Sequence, residues 1–133
     1  MRILFCGDIV GSSGRKIVIS NLSSIKQEKE IDFVIANGEN AAGGFGITPS
    51  ICEQLYESGV DIITTGNHVW DQREIIPYIS REERIIRPIN YPNNIPGKGH
   101  RVLSDKQGRK ILTLNAMGRL FMEPLNDPIL PIL

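Results

Sequence analysis

Histidine, cysteine and tryptophan are scarce in this chain: two, two and one among 133 residues. Cys6 and Cys52 lie far apart, in a spacing that excludes a zinc knuckle and a disulfide framework. Two reduced thiols inside the fold are expected instead. With only His68 and His100, the chain offers no Ser/His/Asp or Cys/His arrangement with a credible order. An excess of one charge is also missing, because 15 basic residues balance 15 acidic ones. No overall field then draws long nucleic acid or an anionic membrane, and any phosphate recognition must be local. No apolar run approaches membrane-spanning length. The N-terminus enters a strand directly, without a charged and apolar leader, so the cytoplasm is the expected location.

What is present is ordinary for one globular domain: 41% hydrophobic and 23% charged residues. Ile3-Leu4-Phe5 and Asp32 to Ala36 are short apolar runs suited to strands covered on both faces. Val60 to Thr65 is β-branched and forms a third. Between the first two, from Gly14 to Glu30, Ile17, Val18, Leu22 and Ile25 recur at helical spacing. Thr48-Pro49 reads as a helix start, Ile51, Cys52, Leu55 and Tyr56 as its apolar face, and Gly59 as its end. Asp71 with Glu74 resembles a capping box opening a short helix that Pro77 should kink or stop. Residues 87–99, with three prolines and two glycines, form a loop. Arg101 to Leu103 and Lys110 to Leu114 then make a hairpin. Pro124, Pro128 and Pro131 punctuate an apolar tail ending at Leu133. Strands alternating with helices predict an α/β fold of βαβ units around a mainly parallel sheet.

The three predicted strands end alike. The first stops at Gly7-Asp8, the second at Gly38-Glu39-Asn40, the third at Gly66-Asn67-His68. In an open α/β sheet the ligand site lies beyond the carboxyl ends of the strands. Glycine at each shoulder permits a sharp turn and a close approach. Asp8, Glu39, Asn40 and Asn67 would present carboxylate and amide oxygens, which suit Mg²⁺, Mn²⁺ or Fe²⁺. His68 beside them could protonate a leaving oxygen. Taken singly, each has a plainer reading: Asp8 as a common strand-end acid, the asparagines as turn formers, His68 as a packing residue.

Gly11-Ser12-Ser13-Gly14 and Gly43-Gly44-Phe45-Gly46 precede predicted helices, where free amides can bind phosphate or simply turn the chain. The glycine spacing matches neither the dinucleotide fingerprint nor a P-loop. Trp70 reads as core or as a wall of the site. Arg73, Arg87 and Arg119 could reach a phosphate but read first as surface arginines, and His100 reads as an exposed loop residue.

The strings GDIVG (7–11), NGENAAGGFGIT (37–48), GNHVWD (66–71), RPINYP (87–92) and PGKG (96–99) resemble the bacterial calcineurin-like metallophosphoesterases. Within these, the likeness is to the small branch of cyclic-nucleotide phosphodiesterases, including 2′,3′-cyclic-nucleotide 2′-phosphodiesterases. It runs from Met1 to about Asp127. The resemblance implies a four-layer α/β/β/α sandwich and two divalent ions, iron or manganese, with magnesium as the alternative. It implies Asp8 and Asn40 at the first ion, Glu39 bridging, Asn67 at the second, and His68 as proton donor. The reaction it implies is hydrolysis of a small phosphodiester or cyclic nucleotide by metal-bound hydroxide.

The family pattern also includes histidine ligands in the second half of its domain, one isolated and two as His-x-His, which neither His68 nor His100 matches. Residues 1–133 are therefore expected to be the N-terminal half of such a sandwich, a single truncated domain. Its expected partners are a small phosphodiester, another copy of the chain, or a complementing C-terminal half. The alternative is a non-catalytic remnant that at most binds metal or nucleotide.

Overall fold

The computed structural model describes residues 1–123 and 125–132; Pro124 and Leu133 of the apolar tail lie outside them. Four strands, β1 (Ile3–Cys6), β2 (Phe33–Asn37), β3 (Ile62–Thr64) and β4 (Ile85–Ile86), form one sheet in sequence order. All three pairings are parallel, with Leu4 opposite Val34, Ala36 opposite Ile63 and Thr64 opposite Ile86. Helices α1 (Gly11–Glu28), α2 (Pro49–Glu57) and α3 (Ile75–Ile79) fill the connections. The α/β alternation read from the sequence is the fold.

Side chains alternate across a strand, so each apolar strand feeds two cores. Val34, Ala36, Ile63 and Ile85 pack with Leu22 of α1, Leu55 of α2 and Ile75 and Ile79 of α3. On the other face Phe33, Ile62 and Ile86 meet Ile111 and, at the margin, Leu103. Those last two belong to an antiparallel hairpin, β5 (His100–Ser104) and β6 (Lys110–Leu114). The helices thus cover one face and the hairpin part of the other. At the β1 edge that second face stays open: Ile3 and Phe5 are 44% and 59% exposed. Val102 and Leu112, on the outer side of the hairpin, are exposed as well.

Local chemistry explains the element ends. Thr48 Oγ1 accepts the Ile51 amide at 3.2 Å, and Pro49 opens α2. Gly59 leaves α2 at φ +108°, a conformation most side chains resist. Helix α1 starts at Gly11, three residues before the periodicity predicts, with Gly14 N–H on Val10 O at 3.2 Å closing its first turn.

Two expectations fail here, and one strand goes beyond them. Asp71 and Glu74 form no capping box, for residues Asn67–Trp70 take a 3₁₀ turn and α3 begins only at Ile75 without a side-chain cap. Pro77 does not stop α3, which runs on to Ile79, since it sits in the first turn, where its missing N–H has no intrahelical acceptor to lose. Strand β4 is too short for any periodic signal and was not anticipated. Among the described residues no helix is long and apolar enough to cross a membrane.

Candidate metal centre

The parallel sheet brings the three glycine shoulders to one edge. Ile9 N–H bonds Asn37 O at 3.0 Å, and Gly38 N–H bonds Thr64 O at 3.0 Å, so the loops after β1, β2 and β3 are laced side by side. Across the first gap, Asn40 Nδ2 donates to both Asp8 carboxylate oxygens, at 2.9 and 2.8 Å. Across the second, Glu39 leans on Gly66, where a β-carbon would lie 2.1 Å from Oε2 and 2.5 Å from Cδ. Only glycine leaves room for that carboxylate. Asn37 steadies the same residue, accepting the Glu39 amide at 3.2 Å and reaching Oε1 at 3.4 Å.

Two oxygens in this cluster are conspicuous. Glu39 Oε2 and Asn40 Oδ1 are buried and have no hydrogen-bond partner. A buried oxygen without a partner costs about 1–3 kcal/mol, so native proteins rarely leave one unless something else satisfies it. The donor set is all oxygen, two carboxylates and two amides, which suits a hard divalent cation. Among the described residues no group of three His, Cys, Asp or Glu side chains is placed to hold a metal ion. The amide oxygens are therefore essential to any cation site here.

His68 and Asn67 follow Gly66 on the 3₁₀ turn. His68 Nδ1 lies 2.7 Å from Asp71 Oδ2. A carboxylate can only accept, so Nδ1 is protonated and Nε2 is the nitrogen left to meet a ligand. The Phe45 ring stands edge-on to the imidazole at 5.3 Å between centroids. Phe45, Asn67, His68 and Asp71 line a cleft of about 380 Å³ with Met122 and Glu123. Gln72 Nε2 holds the Phe45 carbonyl at 2.8 Å, fixing the glycine-rich loop against the turn.

The structure thus groups Asp8 with Asn40, sets Glu39 on Gly66, and puts Asn67 and His68 directly beyond. Asp71 was missed as a site residue because its spacing to Glu74 mimics a cap. The signal that would have found it is the three-residue offset from His68 in a tight turn. Trp70 is half-buried and meets Tyr91 edge-on at 5.9 Å, behind the site. Burial raises the Tyr91 phenol above its ordinary range, with Glu123 adding to the effect and Glu39 and Asp71 smaller contributors. His100 is exposed, as expected, though it opens β5. Arg87 is not a surface residue: it is 5% exposed.

The YmdB-like protein family matches this sequence over residues 4–131. The chain belongs to that family. Among its relatives is the 2′,3′-cyclic-nucleotide 2′-phosphodiesterase of Bacillus subtilis, 45% identical over 98% of this chain and 49% of that protein. A crystal structure of a hypothetical protein from Thermus thermophilus superposes with a TM-score of 0.91 at 42% identity, covering 99% of this chain and 51% of its own. A Mycoplasma pneumoniae structure described as a novel phosphatase gives 0.88 at 31% identity, over 98% and 48%. This YmdB-like chain spans about half the length of the relatives it matches. The small cyclic-nucleotide phosphodiesterase branch suggested by NGENAAGG and GNHVWD is where these comparisons put it.

Proposed function

We propose that this YmdB-like chain supplies the acidic half of a divalent-metal phosphodiesterase site. The observation carrying this reading is the pair of buried, unpartnered oxygens, Glu39 Oε2 and Asn40 Oδ1, on side chains that lie against Gly66 and Asp8. Asp8, Glu39 and Asn40 would hold one cation, and Asn67 with Glu39 would contact a second. Such ions supply charge neutralisation on phosphoryl oxygens and acidify water.

The chain's own residues do the rest. Asp71 takes the Nδ1 hydrogen bond and leaves Nε2 to face the ester; in the doubly protonated imidazolium the Nε2 proton would pass to the departing oxygen, leaving the neutral ring with Nδ1–H on Asp71. Phe45 walls the imidazole on one side and limits its swing. The substrate class that fits the family is a small phosphodiester or a cyclic nucleotide. Iron or manganese is the proposed metal, with magnesium the alternative.

A second reading rests on the composition of the cluster. Two carboxylates and two amides make a weak cage by themselves, so the chain alone would bind metal or nucleotide without turnover. We expect hydrolysis of 2′,3′-cyclic AMP by the 133-residue chain with excess Mn²⁺ to stay near background. Adding a polypeptide that carries the other half of a relative should raise it, and His68→Ala should abolish the gain. Strong turnover by the chain alone would sink the half-site reading. No gain on mixing, with Mn²⁺ still bound, would favour the non-catalytic one.

A further inference from the structure

A second cavity, of about 550 Å³, opens between the end of α3 and the 87–100 loop. It shares no lining residue with the cleft at His68. Arg87, Lys98 and His100 line it, with the polar side chains of Ser80 and Asn93 and with Pro131 of the tail, and among the described residues no aspartate or glutamate does. In a chain with equal numbers of acidic and basic residues, that segregation is local and specific. The nearby acids are engaged elsewhere, Glu82 with Arg84 at 3.0 Å and Glu83 with Arg101 at 3.8 Å.

Arg87 is the informative member. A guanidinium this buried is nearly always matched by a carboxylate, because desolvating the charge is costly. Here Nε donates to Pro96 O at 3.0 Å and Nη1 to Pro88 O at 2.8 Å, and no ion pair forms among the described residues. Those two carbonyls orient the fork without neutralising it, and the rest of it is left for an acceptor in the cavity.

The loop is shaped to keep the cations together. A β-carbon on Gly97 would lie 2.9 Å from Ile79 Cγ1, and one on Gly99 would lie 2.3 Å from Ile89 Cα. Bare backbone at both positions lets the loop press against α3 and the 89 segment. Lys98, between them, accepts the Arg87 amide on its carbonyl at 2.9 Å, which pins it beside the guanidinium.

We propose that this cavity is an anion site that takes the phosphate group of a small phosphorylated molecule. Arg87 provides the planar fork, Lys98 a mobile point charge, and Ser80 and His100 further donors. Ile89 and Ile95 in the wall give an organic portion an apolar surface. The volume falls in the usual range for small-molecule pockets and exceeds what a bare phosphate fills.

The two histidines make the test direct. NMR of the full chain without metal should show two sets of imidazole signals, assigned with a His100→Gln spectrum. Pyrophosphate is expected to shift the His100 signals saturably and leave those of His68 in place. Lys98 is exposed, so Lys98→Glu should fold normally and weaken pyrophosphate binding about tenfold or more. Arg87→Lys should weaken it as well, since a point charge cannot replace the fork. Parallel titrations with AMP and inorganic phosphate separate the sources: tighter AMP binding marks a nucleotide site, tighter phosphate a free-anion site. Shifts at His68 alone, or equal binding by wild type and Lys98→Glu, would overturn the proposal. Neither result bears on the metal reading, which concerns other residues and another ligand.

Discussion

The Glu39 carboxylate rests on the backbone of Gly66, so closely that a methyl group at 66 would overlap Oε2 at 2.1 Å. The clashing atoms are the far end of a flexible side chain, so Gly66→Ala should move Glu39 rather than unfold the chain. We expect calorimetry to show Mn²⁺ affinity reduced about tenfold or more in Gly66→Ala, comparable with Glu39→Gln. The melting temperature without metal should change little. Unaltered Mn²⁺ binding in both variants would remove Glu39 from the ligand set.

The bond from His68 to Asp71 fixes a tautomer, and that is measurable without turnover. Nitrogen chemical shifts of the neutral His68 ring should report Nδ1–H in the wild type. In Asp71→Ala the proton should redistribute towards Nε2. In the complemented enzyme the same change should lower kcat by about 10²-fold, the scale of a misplaced acid. An unchanged tautomer in Asp71→Ala would show that Asp71 does not orient the ring.

Acid should loosen the hairpin first. The Arg2 amide, on Asp32 Oδ2 at 2.7 Å, holds the Asp32 carboxyl below its ordinary range, with Arg109 assisting. Burial works to raise Asp105, but Arg109 and the Gln107 and Arg109 amides outweigh it and the net shift is also down. A carboxyl lowered by folding adds stability that is fully present above its unfolded value and lost as pH falls through the folded one. Arg109 joins both acids, at 2.9 Å to Asp32 and 2.6 Å to Asp105. Stability should therefore decline below about pH 4. That decline should be shallower in Arg109→Ala, as followed by urea titration at several pH values. Identical acid limbs would contradict the assignment.

The open β1 edge carries its own expectation. Ile3 and Phe5 present apolar surface on the face the hairpin leaves bare. Sedimentation of the chain should show concentration-dependent association, and Phe5→Ser should weaken it by about tenfold or more, given roughly 1.5–3 kcal/mol for burying a phenylalanine. A monomer at every concentration would show that the surface is tolerated in water.

What the sequence revealed follows from repetition. Three apolar runs, each closed by glycine and an oxygen-bearing side chain, mark both the sheet and its functional edge, because strand alternation and strand-end placement are local rules. Strand β4 spans only two residues, too few for a period to emerge, and α3, expected from Asp71, begins only at Ile75. Asp71 was obscured by a competing local pattern. Arg87 looked like a surface residue because its acceptors are the carbonyls of Pro88 and Pro96, in a loop whose path no periodicity encodes.

The strict strand order of the sheet has a bearing on how the protein is made. Each strand docks beside the one synthesised just before it, so the sheet can accrete from the N-terminus as the chain leaves the ribosome. Every oxygen donor proposed for the cation, and His68 with its aspartate, lies between positions 8 and 71. The cluster is therefore assembled once β3 has joined β2, before β4 and the hairpin exist. A cation taken up at that stage would act as an early clasp on three parallel strands, closing the nucleus on which the rest of the chain folds.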